Sequence, residues 1–245
     1  MEVFLDKLIR LNSQSEGRDK IARLLQYACR ALWNSMSAKP WNAELIEKLK
    51  TLEYLLSSFR KLLRFGKCID TLHAAQRSVH HQNVILRLTI TLGKLAQALY
   101  LYSDHIVWLS RSGLTKSIDA AKWNATANKY WFISIMMNLC RDFYELGLLL
   151  DRNSDMIGRT INRWLFDTNI NDITKQNFTH TSVQAYSYIH EHQALFIDIT
   201  KNACDLFISS TALGYTKLKP RVVGCLGIIS SLAAIYVLVQ PRSKF

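Results

Sequence analysis

Four basic side chains near position 60 are spaced so that they could bind an anionic surface together. Apolar residues between positions 52 and 72 recur at steps of three, one and four, which is the spacing of one face of a helix. The basic residues fall on the other side of that helix, within an arc of about 120°, and they are Arg60, Lys61, Arg64 and Lys67. A cationic stripe beside an apolar face indicates contact with an anionic surface.

The pattern is typical of a helix that lies in the plane of a membrane. In such a helix the basic side chains hold lipid phosphates, the apolar ones enter the acyl boundary, and the added area in one leaflet favours curvature. We therefore expect the four cations to contact the phosphates of an anionic phospholipid membrane. We expect four side chains to insert: Phe59, Leu62, Leu63 and Leu72. The alternative is an ordinary surface helix whose apolar face lies on a protein core, and the pattern alone fits both.

The sequence contains no motif for catalysis or cofactor binding. A P-loop, G-x-G-x-x-G, G-x-S-x-G and H-E-x-x-H are all absent. The nearest approach to a metal cluster is His190-Glu191-His192, but its two histidines would point to different sides of a helix and no third ligand is evident. We expect no enzymatic activity, no cofactor and no metal.

Charge and composition narrow the class of partner and the fold. The formal charge of the 245 residues is +12, and residues 1–100 carry 16 Lys and Arg against 8 Asp and Glu. This excess suits a polyanion, but the cations are not interleaved with a nucleic-acid recognition module, so nucleic acid is not expected. Residues 41–219 contain no proline, which favours an all-α fold.

The carboxyl-terminal region contains a predicted transmembrane helix. Residues 222–240 include no charge, and at 1.5 Å per residue they extend about 28 Å, close to the hydrocarbon thickness of a bilayer. Basic residues flank both ends, as lipid headgroups favour, although a buried core helix is the alternative. Small residues four positions apart offer a stripe for close helix packing, namely Gly227, Ser230, Ser231 and Ala234.

A second apolar stretch, 84–110, is long enough to cross a membrane. It is interrupted by Arg87, Lys94 and Asp104, and charges at a bilayer centre are costly. We therefore predict an integral membrane helical protein with amphipathic interfacial helices and one or two transmembrane helices.

Four regions follow from these patterns. Residues 1–83 form a basic amphipathic helical region, 84–150 an apolar helical region with a possible first membrane segment, 151–182 a variable polar loop, and 183–245 a helical region with the transmembrane helix. The predicted helices are 2–12, 18–37, 42–80, 84–110, 119–150, 183–209 and 221–240, with a break at Pro40.

The order of several short blocks resembles the peroxin-eleven family of peroxisomal membrane proteins, which elongate and divide peroxisomes. The blocks cover some 220 residues, none is chemically specific alone, and they lie at 17–27, 59–67, 92–114, 141–145, 204–215 and 224–236. Residues 151–190 match no part of the family pattern.

The resemblance implies a non-enzymatic protein of the peroxisomal membrane that remodels the bilayer and promotes fission, with both termini in the cytosol. It further implies a homo-oligomer that recruits a dynamin-like fission GTPase and its membrane receptors. The terminal Ser243-Lys244-Phe245 is similar to a peroxisomal address, but we interpret it as the basic flank of a membrane helix.

Two other functions remain open at this point. One is a pore or metabolite-permeability protein of the same membrane, in which the charged helix 84–110 lines a water-filled path. The other is a tail-anchored helical adaptor without curvature activity.

Overall fold

Helices make up almost all of the part of the chain that the structure describes. This computed structural model describes residues 2–36, 43–115, 117–152 and 192–239, and no strand occurs in those ranges. The helices are α1 (Glu2–Ser13), α2 (Ser15–Met36), α3 (Ala43–Leu63), α4 (Lys67–Ser78), α5 (Val84–Arg111), α6 (Ala120–Arg152), α7 (Gln193–Ala212) and α8 (Pro220–Val239). The all-α prediction is confirmed.

One predicted helix is divided in two. The sequence predicted a single helix over 42–80, whereas α3 ends at Leu63 and α4 begins at Lys67. Gly66 lies between them with φ 78°, in the left-handed region that glycine enters without a steric penalty. The continuous prediction was wrong because the apolar spacing passes smoothly through this elbow. The bend between α3 and α4 is set by Gly66 and not by the spacing of the apolar residues around it.

Several predictions fall outside the described residues. These are the break at Pro40, the loop from 153 onward, the helix start at 183–191, the first two residues of His190-Glu191-His192, and the terminal Ser243-Lys244-Phe245. Residues 151–152 of the predicted loop are described, and they form the end of α6.

Six helices and the α4 segment close into a ring. α2 packs against α3 on one side and α8 on the other; α8 then packs against α7, α7 against α6, and α6 against α5. α5 closes the ring through its contacts with α3 and α4. The side chain of Asn83 sets the start of α5, since it accepts hydrogen bonds from the backbone N–H groups of Ile85 and Leu86 and donates to the Tyr144 hydroxyl on α6, 2.9 Å away.

Two helices are long and apolar enough to cross a membrane. They are α5, with a mean hydropathy of 1.4 over its most apolar window, and α8, with 2.5. Only 22% of that window is buried within the protein in α5, and 33% in α8. Both helices therefore offer most of their apolar surface to the surroundings.

The ring buries more charge and exposes more apolar surface than a water-soluble helical bundle usually does. Its fully or almost fully buried side chains include Asp19, Asp104, Asp142 and Asp205, whereas leucine, isoleucine and phenylalanine side chains are exposed along every helix of the ring. Water-soluble bundles bury apolar residues and rarely expose large contiguous apolar patches. The outer surface is therefore of the kind that a hydrocarbon environment covers.

Candidate functional site

The ring encloses a polar cavity of about 500 Å³. Its lining residues come from α2 through α8 and include five acidic side chains, Glu16, Asp19, Asp104, Asp198 and Asp205. The basic side chains that line it are more numerous, namely Lys20, Arg23, Arg60, Lys61, Arg64, Lys67, Lys94, Arg141 and Lys201. The candidate site is thus a cationic interior inside an apolar exterior.

Asp19 on α2 is the carboxylate that most cations share. Its oxygens lie 3.1 Å from the Arg60 Nε, 3.5 Å from the Arg64 Nε and 3.8 Å from the Lys20 Nζ. Burial alone would raise the pKa of Asp19, but Arg60 and Arg64 outweigh it and lower that pKa to about 2. Asp19 therefore stays ionised and fixes the end of α3 against α2.

Asp104 on α5 forms the second centre. Its carboxylate accepts hydrogen bonds from the Lys61 Nζ and lies 2.7 Å from the Arg64 Nη2. Arg64 also donates to the Tyr100 hydroxyl at 2.6 Å. Arg64 thus links α2 and α5 through two carboxylates, which is a geometry suited to the planar guanidinium.

A third centre connects α2, α7 and α8. Asp205 accepts from the Arg23 guanidinium and from the Ser230 hydroxyl, the latter at 2.6 Å. A Cβ at Gly227 would overlap the Tyr27 ring, so the absence of a side chain allows α8 to approach α2 closely. The close contact with α2 and the hydrogen bond from Ser230 to Asp205 on α7 together hold α8 in the ring.

The far side of the cavity is closed by α6 and α7. The Asn202 amide donates to Asp142 at 2.6 Å, and Arg141 donates to the same carboxylate at 2.5 Å. Asp142 is fully buried, so these bonds satisfy a charge that would otherwise be costly. Asp198 receives Lys201 at 2.5 Å and lies 3.5 Å from Arg141.

The four predicted membrane-inserting residues lie mostly on the outer face of the ring. Phe59 is 47% exposed, Leu62 46% and Leu72 54%, whereas Leu63 is half-buried. Phe65 and Ile69, which the prediction did not include, are exposed beside them. We call the surface formed by Phe59, Leu62, Phe65, Ile69 and Leu72 the elbow face. Insertion of this face into lipid stays a prediction.

The predicted phosphate-contacting cations point mainly inward. The side chains of Arg60, Lys61 and Arg64 are 12%, 8% and 13% exposed and are ion-paired, while Lys67 is 36% exposed and lies 3.2 Å from Glu16. The structure thus brings these four side chains together, on the cavity side of the elbow. Their contact with lipid phosphate stays a prediction, and for the first three it requires the ion pairs to open.

The predicted packing residues of the carboxyl-terminal helix are all buried. Ser230 and Ser231 have no exposed surface, and Gly227 and Ala234 lie with them on the side of α8 that faces the ring. Among the charges in the second apolar stretch, Lys94 and Asp104 line the cavity, whereas Arg87 is not among its lining residues.

Sequence reasoning missed the acidic partners of the cations. Asp104 and Asp205 stand in predicted helices of apolar character, where an unpaired carboxylate is too costly to retain, whereas Asp19 stands in a polar run that gives no such signal. That cost was the available signal, because it implies that each carboxylate meets a cation inside the fold. In the described ranges no group of three His, Cys, Asp or Glu residues is arranged to hold a metal ion.

Comparison with known proteins gives one consistent result. Residues 5–239 match the family model "Peroxisomal biogenesis factor 11 (PEX11)". The chain is 33% identical to "Peroxisomal membrane protein 11B" of Homo sapiens, over 97% of this chain and 98% of that protein. It is 29% identical to "Peroxisomal membrane protein 11A" of Bos taurus, over 98% of each, and 27% identical to "Peroxisomal membrane protein 11 homolog" of Dictyostelium discoideum. No solved structure matches.

Proposed function

Since the chain belongs to the peroxisomal biogenesis factor 11 family, we propose that it is a peroxisomal membrane protein that remodels and elongates its membrane and promotes peroxisome fission. The relatives are named as peroxisomal membrane proteins, which supports this location. The proposed role is mechanical and not enzymatic.

The observation that carries the proposal is the apolar exterior of a ring whose charges face inward. The elbow face presents five large apolar side chains on two consecutive helices and the turn between them, each between 46% and 70% exposed. Exposed apolar surface of this extent marks a membrane or protein contact. α4 packs against α5, which is itself a candidate membrane span. The elbow face would therefore lie next to lipid when α5 crosses the bilayer.

The proposed mechanism is a wedge. α5 and α8 cross the bilayer, and the elbow of α3 and α4 lies along one leaflet with the elbow face in the acyl boundary. A bent pair of helices held at the surface by transmembrane neighbours adds area to that leaflet only, and the bilayer curves. Two crossings place both chain ends on the same side, and we propose that this side is the cytosol.

Phosphate contacts belong to the same proposal. Lys67 can reach a headgroup directly, because about a third of its side chain is exposed at the elbow. Arg60, Lys61 and Arg64 reach phosphate only after leaving Asp19 and Asp104, so their contact with lipid would accompany an opening of the ring.

The other proposed partners are further copies of the chain, a dynamin-like fission GTPase and its membrane receptors.

Reconstitution of the full chain tests the wedge. The protein is inserted into vesicles that contain anionic phospholipid, and their shape is followed by electron microscopy. We expect the wild type to tubulate the vesicles and Leu62→Asp to leave them round, because the charge removes the elbow from the acyl boundary. Thr51→Asp places the same charge at an exposed polar position of α3 and is the matched control. Equal tubulation by all three proteins would contradict the wedge mechanism.

The cavity supports a second candidate function, a permeability path across the membrane. Its lining residues run from position 90 to 104 on α5 and from 124 to 141 on α6, which at 1.5 Å per residue corresponds to about 21 Å and 26 Å. A polar interior of that length, enclosed by helices with an apolar exterior, is the arrangement of a water-filled path in a bilayer.

Conductance in planar bilayers tests this function. We expect Lys94→Glu to shift the ion selectivity towards cations, because Lys94 lines the cavity. Arg87→Glu changes the same charge on the same helix at a position outside the lining and should leave the selectivity unchanged. Absence of conductance in the wild type excludes the path and leaves the wedge untouched.

A further inference from the structure

The charges of the cavity are unevenly distributed. Of the nine basic lining residues, all except Arg141 and Lys201 lie on α2 to α5, and four acidic lining residues pair with this group. With the four carboxylates that pair with them, one of which (Asp205) lies on α7, these seven basic side chains leave an excess of three positive charges. Arg141 and Lys201 are matched by Asp142 and Asp198.

The pairing geometry identifies where the excess lies. All four carboxylates are ion-paired, and Asp19 and Asp104 are each shared by at least two cations. Within the described residues Lys94 has no carboxylate at ion-pair distance, although its side chain is partly buried and lines the cavity. Lys20 lies 3.8 Å from an Asp19 that two arginines already occupy.

The pKa of Lys20 reflects the same excess of positive charge. Burial lowers its pKa to about 8, and the neighbouring Arg23 and Arg60 act in the same direction against the attraction of Asp19 and Glu16. A bound anion would stabilise the protonated, positively charged form of Lys20. Holding an excess of positive charge in a partly enclosed interior is otherwise expensive.

We propose that the cavity binds a phosphate-bearing anion on the wall formed by α2, α3 and α5, with Lys20 and Lys94 as its primary contacts. Arg60 and Arg64 line the same space but are held by Asp19 and Asp104, and the side-chain amides of Gln97 and Asn128 offer neutral donors. Phosphate oxygens accept from both kinds of group.

The size of the cavity sets the ligand class. A volume of about 500 Å³ lies within the range of about 300 to 1,000 Å³ that small-molecule sites occupy. The ligand is therefore a small organic phosphate or the headgroup of a phospholipid that enters between helices. This site goes beyond the proposed wedge and does not require that the cavity conducts.

Binding to the purified full chain tests the inference. The probes are inorganic phosphate, glycerol 3-phosphate and lipid nanodiscs that contain phosphatidic acid, and the readouts are calorimetry and the thermal midpoint in neutral detergent. We expect at least one phosphate probe to bind and raise the midpoint. Lys94→Gln and Lys20→Gln should each weaken that binding by about tenfold, since each removes one charged contact.

Lys129→Gln is the matched control, because Lys129 is an exposed cation on α6 and its loss should leave the affinity unchanged. A response to the soluble phosphates identifies a free anion as the source, and a response to phosphatidic acid alone identifies the lipid headgroup; both support the site. Because Lys94 has no carboxylate to release, its variant is expected to fold. The inference is overturned if no phosphate probe binds at millimolar concentration, or if the three variants lose affinity equally.

Discussion

The elbow formed by α3 and α4 has a side that faces the cavity and an opposite side that carries the elbow face, and the two sides differ in what holds them in place. On the inner side, Arg60 and Lys61 meet carboxylates that belong to α2 and α5. On the outer side, Phe59 and Leu62 meet no other part of the described chain closely enough to bury them. The inner side is therefore fixed by the protein, and the outer side is left for the surroundings to cover.

The comparison explains how one amphipathic pattern gives this fold. In water, the apolar side of α3 would turn inward and the cations outward. Here the cations find Asp19 and Asp104 inside the ring, where a low dielectric strengthens each ion pair that is well made. In the proposed arrangement lipid covers the apolar side, so neither side is left without contacts.

The largest expected effect comes from removing a buried carboxylate. Asp104→Asn leaves Lys61 and part of Arg64 without their partner inside the ring, and we expect the free energy of unfolding to fall by about 3 to 5 kcal/mol. Denaturant titration in mixed micelles measures the loss. Glu44→Gln breaks an ion pair with Lys48 whose side chains are 83% and 71% exposed, and it should cost no more than about 0.5 kcal/mol. Similar losses in both variants would mean that the interior ion pairs contribute no more to stability than an exposed pair does.

A smaller effect is expected where α8 meets α2. Gly227→Val places a branched side chain against the Tyr27 ring, and the helices must separate. We expect a loss of about 1 to 3 kcal/mol, measured by the same titration. Gly147→Ala is the control, because no atom lies within 4 Å of a Cβ built there. If Gly227→Val is as stable as the wild type, then α8 is not held in the ring by this close contact.

The low-pH behaviour of Asp19 gives an effect of similar size to that of Gly227→Val. Its pKa is about 2 in the folded chain against an ordinary value of 3.8, so the folded state binds its proton less readily. The stabilisation from Asp19 is fully present above about pH 4 and is lost as the pH falls towards 2, by about 2 kcal/mol in total. Unfolding of wild type and Asp19→Asn is compared at pH 5 and pH 3, and the difference between the two proteins should shrink. A difference independent of pH would contradict the inner ion pairs.

Much of the fold was predictable from the sequence, and the site was predictable only in part. Helical spacing and the lack of proline gave the helices, and the uncharged run gave α8, because both signals are local. The partner of Arg60 is 41 positions away and that of Arg23 is 182 positions away, so no local pattern identifies them. The direction in which the cations of α3 point depends on those distant carboxylates, and the residue pattern of α3 is the same for either direction.

The smallest expected effect on stability is also the one that separates the two sides most directly. Phe59→Cys and Leu72→Cys, each labelled with a nitroxide, change exposed side chains and should alter the free energy of unfolding by no more than about 0.5 kcal/mol. In reconstituted vesicles both labels should be more accessible to oxygen, which partitions into lipid, than to a water-soluble nickel complex. A label at the exposed polar position Lys48, introduced as Lys48→Cys, should show the opposite preference. If the labels at 59 and 72 face water as the label at 48 does, the elbow face is covered by neither lipid nor protein, and the outer side of the comparison loses its physical basis.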